Sequence, residues 1–432
     1  MRPAYGRQSG LPRANENTVG PTPLAKPIAP STDGQSDEGI PPFVSRQCML
    51  LPQNTPVGAC FNGSEVQCDI IIDSYIGKAI DMNVQFDLTI TDLSGGHVST
   101  GYLAPTPYFV TRIDYMLGGQ VIETQYNDTL FQESVAFQTD QEFKQTAALY
   151  NVDPATGGLK QYTQPGTASN SVTYWLNLTG FLPSLQPVVA GFSAEWRVRL
   201  YLAPNLWAAK GTTLNGVSTS QYLSVSLAAL YLWVEEAGVS QAAMAEMLSK
   251  HQTGINYRST IRNVWSITQP SLVSGQDNTQ VMNAFSADSS ALWLYLKKTS
   301  LDPAWSLQRY GLNNMWLQDQ SSRQLTQVLP ASFVENFISV AVMPITSVYT
   351  NSATFNTYIF PFCSSLDRVL HSNKVLGGYK LTGNEKVVIN PTAATAAVSG
   401  AGLLQTVVSW DYCLVTVQNR QVTGVYRTAS QG

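Results

Sequence analysis

Histidine is almost missing from this chain. His97, His251 and His371 are its only three in 432 residues. None stands in HExxH or beside a CxxC, so no zinc site follows from the recognised spacings. His97 comes after Ser94-Gly95-Gly96, an expected turn. His251 ends an expected helix, where a cation suits the dipole, and His371 falls in a loop over 366–378. Each reads as a surface histidine. Five cysteines, Cys48, Cys60, Cys68, Cys363 and Cys413, are too few for a disulfide framework. They read as free thiols of a reducing compartment, with a Cys60–Cys68 bridge as the alternative. GxSxG, GxxxxGK[ST] and GxGxxG are all absent, so no nucleophile elbow, phosphate cradle or dinucleotide turn is expected. No catalytic, cofactor-binding or metal-ligating residue is assigned, and no cofactor.

Charge is also scarce. Asp, Glu, Lys and Arg make up 12% of the chain, about half the usual ~25%, and the formal net charge is −4. Tyr, Thr, Ser, Asn and Gln fill the gap, giving a polar surface with little self-repulsion. At 44% the hydrophobic content is that of a globular protein rather than a disordered one. No run of eighteen apolar residues marks a membrane-spanning helix, and Met1–Gln8 lacks the apolar stretch of a secretory signal. With no signal, the triplets at Asn62, Asn127 and Asn177 read as chance sequons. Arg2, Arg7, Arg13 and Lys26 against Glu16 are too few for a nucleic-acid-binding arm, so no sequence-specific nucleic-acid contact is expected.

What is present is alternation. In Tyr108–Glu123, residues Phe109, Thr111, Ile113, Tyr115 and Leu117 fall on one face of an extended chain, and Arg112 and Asp114 on the other. Gly118-Gly119 then supplies the positive φ angles of a tight hairpin. Val84–Asp92 and Trp196–Leu202 alternate cleanly, and Cys68–Tyr75 and Tyr222–Val234 read as strands. Asp128–Tyr150, free of Gly and Pro, reads as one helix capped by Asp128. Over 236–254 the period changes: Ser240 can cap, Met244, Met247 and Leu248 share a face, and Gly254 can end the helix. Strands resume at Leu292–Leu296, at a second hairpin over Asn313–Leu325 turning near 319–322, and at Ile338–Met343. Thr357–Phe362, Glu385–Ile389 and Asp411–Val417 follow, the last turning at Asn419-Arg420.

The expected architecture is all-β, two tandem β-sandwiches with short helices in loops. An extended arm rich in Pro, Gly, Ser and Asn covers 1–42. The first sandwich is expected over 43–236, a helical connector over 237–256 and the second sandwich over 257–432. Loops at 146–170 and 266–290 are candidates for outer decoration. Asp73, Asp81, Asp87, Asp92, Asp114 and Glu123 lie along strands or at their ends, where a pair across a cleft is the alternative, glycosidase-like arrangement.

Residues 174–202, a polar–aromatic strand, a Leu-Pro turn and an alternating strand, together with 357–389, an aromatic strand, a long loop and a returning strand, resemble the double jelly-roll major capsid proteins. The hairpins at 108–123 and 312–325 fit the same order, and the resemblance spans roughly 45–427. His371–Gly378 stands where the large eukaryotic DNA viruses carry a Pro-Ser-Gly-like loop, so the likeness is to a divergent member. That resemblance implies two jelly rolls side by side and a homotrimer forming a pseudo-hexagonal capsomer. It also implies an icosahedral virion shell around the genome, in many relatives over an internal membrane, assembled inside the host cell. Implied partners are copies of the chain and minor capsid, penton and cement proteins. Two other classes fit the composition: a β-sandwich carbohydrate-binding or glycoside-cleaving protein, and a virion spike.

Overall fold

The computed structural model describes residues 44–428, apart from 55–56, 93–98, 165–168, 210–211, 215–216, 220–222, 270–271, 299–308, 350–356, 373 and 400–401. The arm over 1–42 and His97 therefore lie outside the described residues.

Eight strands build the first sandwich. They are β1 Ser45–Leu50, β2 Val66–Ile72, β3 Lys78–Asp92, β4 Val110–Leu117, β5 Gln120–Tyr126, β6 Ser169–Asn177, β7 Trp196–Leu202 and β8 Leu223–Ala237. One sheet runs β1-β8-β3-β6 and the other β2-β7-β4-β5. Eight more build the second: β9 Ile255–Gln269, β10 Asn278–Val281, β11 Asp288–Lys298, β12 Leu312–Gln318, β13 Leu329–Pro330, β14 Tyr358–Pro361, β15 Lys386–Pro391 and β16 Leu403–Gln418. Their sheets run β9-β16-β11-β14 and β10-β15-β12-β13. The second order is the first with eight added to every strand number, so the chain folds one jelly roll twice. A further strand, β17 Gln421–Tyr426, returns along β16.

Period-2 patterning decides each face. Val84, Phe86, Leu88 and Ile90 on β3 are buried on the same face as their cross-strand neighbours Leu227, Leu230 and Leu232 of β8, each contributing on the order of 1.5–3 kcal/mol. On β7, Trp196, Val198, Leu200 and Leu202 are buried while Arg197, Arg199 and Tyr201 are half-exposed. Gly118 and Gly119, at φ 58° and 84°, form the expected β4–β5 turn.

The helices are α1 Asn127–Phe131, α2 Asp140–Thr146, α3 Phe181–Leu185, α4 Gln241–Thr253, α5 Ala331–Phe333, α6 Val340–Val342 and α7 Leu366–Ser372, with Ala393–Ser399 beyond them. α4 stands between β8 and β9. Ser240 caps it by accepting from Ala243 N, and Gly254, at φ 138°, ends it.

Several sequence expectations are corrected here. The single helix over Asp128–Tyr150 is two, α1 and α2. α1 runs into a π-helical turn, Gln132–Ala136, and Phe137 leaves helical geometry at φ −81°, ψ 61°. α2 then restarts from a Thr139–Glu142 capping box. Asp128 caps nothing; it is buried in α1. Ile338–Met343 is not a strand. It belongs to a π-helical turn, Val334–Ser339, and to α6, because a short apolar run fits either element. Tyr108 and Phe109 sit in a 3-10 turn, and the strand starts at Val110. The second hairpin turns over 319–322, but its return is a single bridge, Gln318 to Gln324, followed by the two-residue β13. Pro330 cannot extend that ladder, having no N–H. The segment 266–290 is no continuous loop, since β9, β10 and β11 occupy much of it. The loop over 366–378 carries α7.

Candidate functional site

The feature that sets this molecule apart from two independent sandwiches is the seam between them. In the second sandwich, Leu292, Leu294 and Leu296 of β11 face inward to a separate core with Met315, Val387 and Ile389. The alternate residues Trp293 and Tyr295, with Val408 and Trp410 of β16, face outward and join the core of the first sandwich. The cover on that outer face is the helical segment that follows β5. Phe137 meets Trp410 at 6.0 Å, and Phe131 and Phe143 each meet Tyr349 edge-on.

Charge is concentrated in the same place. Arg262 on β9 donates from Nε to Glu133 Oε1 at 2.8 Å and from an Nη to Oε2 at 2.6 Å. Trp410 Nε1 donates to Glu133 Oε1 at 2.7 Å. Glu123 on β5 accepts the backbone N–H of Arg262 and that of Phe181, and its carboxylate lies 3.9 Å from the guanidinium. These side chains are 0–3% exposed. One cation is thus shared by two carboxylates in a dry interior. Burial pushes the Glu123 carboxyl up to about 7, against the pull of Arg262. Burial alone would lower Arg262, yet Glu133 and Glu123 hold it above its ordinary value. Such a cluster adds little net stability but makes its loss expensive, because any survivor is left charged and dry.

Further ties repeat the theme. Asp128 accepts from Tyr108 at 2.7 Å within its own sandwich, and from Tyr295 and Lys297 of the second at 3.1 Å. Asp140 accepts from Thr346, from Ser347 N and from Ser347 Oγ, and these bonds, Ser347 N first, lower its pKa. The β16–β17 turn, Asn419-Arg420, has φ of 52° and 61°. Left-handed geometry in a non-glycine residue costs roughly 1–2 kcal/mol. It is held by contacts with the first sandwich and α4: Arg420 N donates to His251 O, its Nη to Ala190 O, and its carbonyl accepts from Ser193.

His251 is corrected by this geometry. It does not lie at the surface offering charge to a helix end, but is fully buried. Nδ1–H donates to Met247 O at 2.7 Å, and Nε2 accepts from the Tyr257 hydroxyl at 2.8 Å, so the neutral ring is satisfied on both sides. Burial lowers its pKa. Gly191 lies flat beneath the ring, where a Cβ would stand 2.6 Å from it. His371 is at the surface, paired with Asp367 on α7.

Of the carboxylates noted in the sequence, Glu123 alone enters the seam cluster. Asp81 and Asp87 bond side chains on their own sheet, and Asp114 accepts from Thr124. The Glu123–Glu133 pair is sealed and holds an arginine, so no sugar reaches it. All five cysteines are buried free thiols, and Cys60 and Cys68 are not bridged. Among the described residues, no group of three His, Cys, Asp or Glu side chains is placed to hold a metal ion, and no helix is long and apolar enough to cross a membrane. Arg262, Glu133 and Trp410 carried no sequence signal. Arg262 looks like one polar position of an alternating strand, and its carboxylate partners lie 129 residues or more away.

No family model matches the chain, and no curated protein matches it in sequence. Solved structures do. The capsid of the virus PBCV-1 is similar over 91% of this chain and 98% of that chain, with a TM-score of 0.62 at 12% identity. The Faustovirus major capsid protein is similar over 87% and 90%, with 0.60 at 8%. A chain of the Sputnik virophage is similar over 89% of each, with 0.59 at 11%. Identities this low speak for shape rather than role. Taken with the repeated strand order, they establish that this chain has the fold of the double jelly-roll major capsid proteins, as a divergent example of it.

Proposed function

We propose that the chain is a viral major capsid protein, acting by assembly rather than turnover, and that it carries no catalytic, cofactor or metal site. The observation that carries this reading is the pair of complete jelly rolls, of one strand order, locked side by side by a buried seam. It is supported by likeness to capsid chains over about nine-tenths of the length. Two equivalent bodies in one rigid chain give each copy two of six similar positions around a ring, so three copies close it as a pseudo-hexagonal capsomer. Capsomers then tile an icosahedral shell around the genome, with minor capsid, penton and cement proteins at its vertices and joints. In this reading the shell is built inside the host cell, and in many double jelly-roll relatives such a shell overlies an internal membrane. Weak surface charge favours such self-association.

Light scattering on the purified protein tests the reading. A stable species near three times 47.1 kDa, forming hexagonal arrays or shells under the electron microscope, is expected. A persistent monomer that binds glycans overturns it. Within the same reading, residues 1–42 strap neighbouring capsomers, ordering only when partners cover them because fixing backbone costs about 1–2 kcal/mol per residue. Deleting 1–40 is expected to leave soluble trimers that fail to form shells; normal shells would refute the strap. The connections on either side of β10, and the segment between α2 and β6, face outward in this scheme, which epitope insertion at each checks.

A further inference from the structure

The seam has two halves, and each half occurs a second time in the molecule without its complement. The first half is the helical segment after the fifth strand. In both sandwiches it enters a π-helical turn, Gln132–Ala136 after β5 and Val334–Ser339 after β13. Counted from the first helical residue, Asn127 or Ala331, the seventh position is Glu133 in one and Phe337 in the other. Glu133 is sealed against Arg262 and Trp410 of the second sandwich. Phe337 is 64% exposed, stacked at 5.0 Å on Phe333, itself 42% exposed, with Val340 beside them.

The second half is the outer face of the four-stranded sheet that opens each sandwich. In β9-β16-β11-β14 that face carries Trp293, Tyr295 and Trp410, all buried under the first sandwich. In β1-β8-β3-β6 it carries Trp175 and Trp233, rings 6.3 Å apart, with Tyr231, all half-exposed. Met49, in register with Trp233, is 48% exposed. An aromatic helix face and an aromatic sheet face are thus both left open, and each is the counterpart of a surface the chain already joins internally. Aromatic residues and Met are enriched where proteins associate, and paired patches of this kind mark interaction surfaces.

From this repetition we infer that the Phe333–Phe337 face of one copy docks on the Met49–Trp175–Trp233 face of a second copy of this chain, repeating between chains the contact that joins the sandwiches within one. The inference rests on the reading that copies assemble, and it names the surfaces. The contact is head-to-tail, so it propagates around a ring rather than closing as a symmetric pair. Arg262 and Glu133 have no charged counterpart in it: Phe337 replaces the carboxylate. The repeated contact is therefore aromatic where the internal one is ionic, with Gln85, which accepts from Trp233, and Asp87 beside the sheet aromatics.

Two experiments on the full-length chain test it. The double variant F333S/F337S is expected to fall from the wild-type oligomer to the 47.1 kDa monomer with an unchanged circular dichroism spectrum, since both side chains are solvent-facing in the single chain. Separately, the pair M49C/F337C treated with a short bis-maleimide is expected to give covalent dimers and trimers on a denaturing gel, with neither single variant exceeding wild type. An F333S/F337S protein that keeps the wild-type mass overturns the inference alone. So does cross-linking by F337C alone, which would indicate a symmetric helix-to-helix contact. A wild type that is itself monomeric overturns the assembly reading and this inference together.

Discussion

The helical segment after β5 is roofed by the neighbouring sandwich, whereas its counterpart after β13 faces solvent. The two begin alike, with a short helix entering a π turn. They part at the side chains: Gln132 and Glu133 in the first are buried and bonded to Thr357 and Arg262, while Phe333 and Phe337 in the second are stacked in the open. The difference teaches how one architecture serves two ends. A contact that forms once and must never slip is written in buried charge, which fixes register and punishes misplacement. The open counterpart, on the docking inferred above, is written in exposed aromatics, which tolerate approach and retreat.

The largest effect should come from breaking the permanent contact. Arg262→Met leaves Glu123 and Glu133 buried without their cation and should cost about 3–5 kcal/mol, read by denaturant unfolding; the triple variant R262M/E123Q/E133Q should recover much of that loss. Gly191→Ala drives a methyl into the His251 ring, 2.6 Å away, and should cost about 1–3 kcal/mol by overpacking. A His251→Ala background should relieve the clash, which a double-mutant cycle would register.

A smaller effect is expected with pH. Burial raises Glu123 from 4.5 to about 7 and Asp411 from 3.8 to about 7. Between those limits the folded chain holds protons that the unfolded chain has released, so stability falls as pH rises and levels off above 7. His251, lowered by burial, works in the other direction as pH climbs toward 6.5. Glu123→Gln should therefore flatten the fall in melting temperature across this window; an unaltered slope would show that Glu123 does not titrate there. The smallest effect on stability belongs to the open helix: Phe337→Ser should change unfolding of the isolated chain by no more than about 0.5 kcal/mol. Glu133→Ala, at the matching position, should cost several times more.

The sandwiches themselves were readable from the sequence wherever burial is one-sided. Val84–Ile90 and Trp196–Leu202 alternate because one face is wet, and Gly118-Gly119 and Asn419-Arg420 mark turns because positive φ restricts what can stand there. Legibility failed where the apolar pattern has no clear period, or where the cover comes from distant parts of the chain. Ile338–Met343 is apolar in a run, and a run does not distinguish strand from helix. Asp128 looked like a cap because Asp caps helices, yet a tyrosine and a lysine 167 and 169 residues away claim its carboxylate. His251 looked exposed because the helix it ends is polar, and the cover comes from Tyr257 and the Gly191 turn. The seam was illegible as a whole. Its members are single residues scattered over strands and short helices, and only the tertiary fold brings them together.

The hydrogen bond from Arg420 to the carbonyl of Ala190 spans 230 residues, and that separation has a bearing on synthesis. At ~5–20 residues per second, a ribosome needs roughly ten to forty-five seconds to supply the second partner after the first has emerged. Until the second sandwich has been made and has docked, the nascent amino-terminal half displays Phe131 and Phe137 to solvent, and Glu133 waits for Arg262 and Trp410. The pace of synthesis therefore bears on how long those apolar side chains stay uncovered.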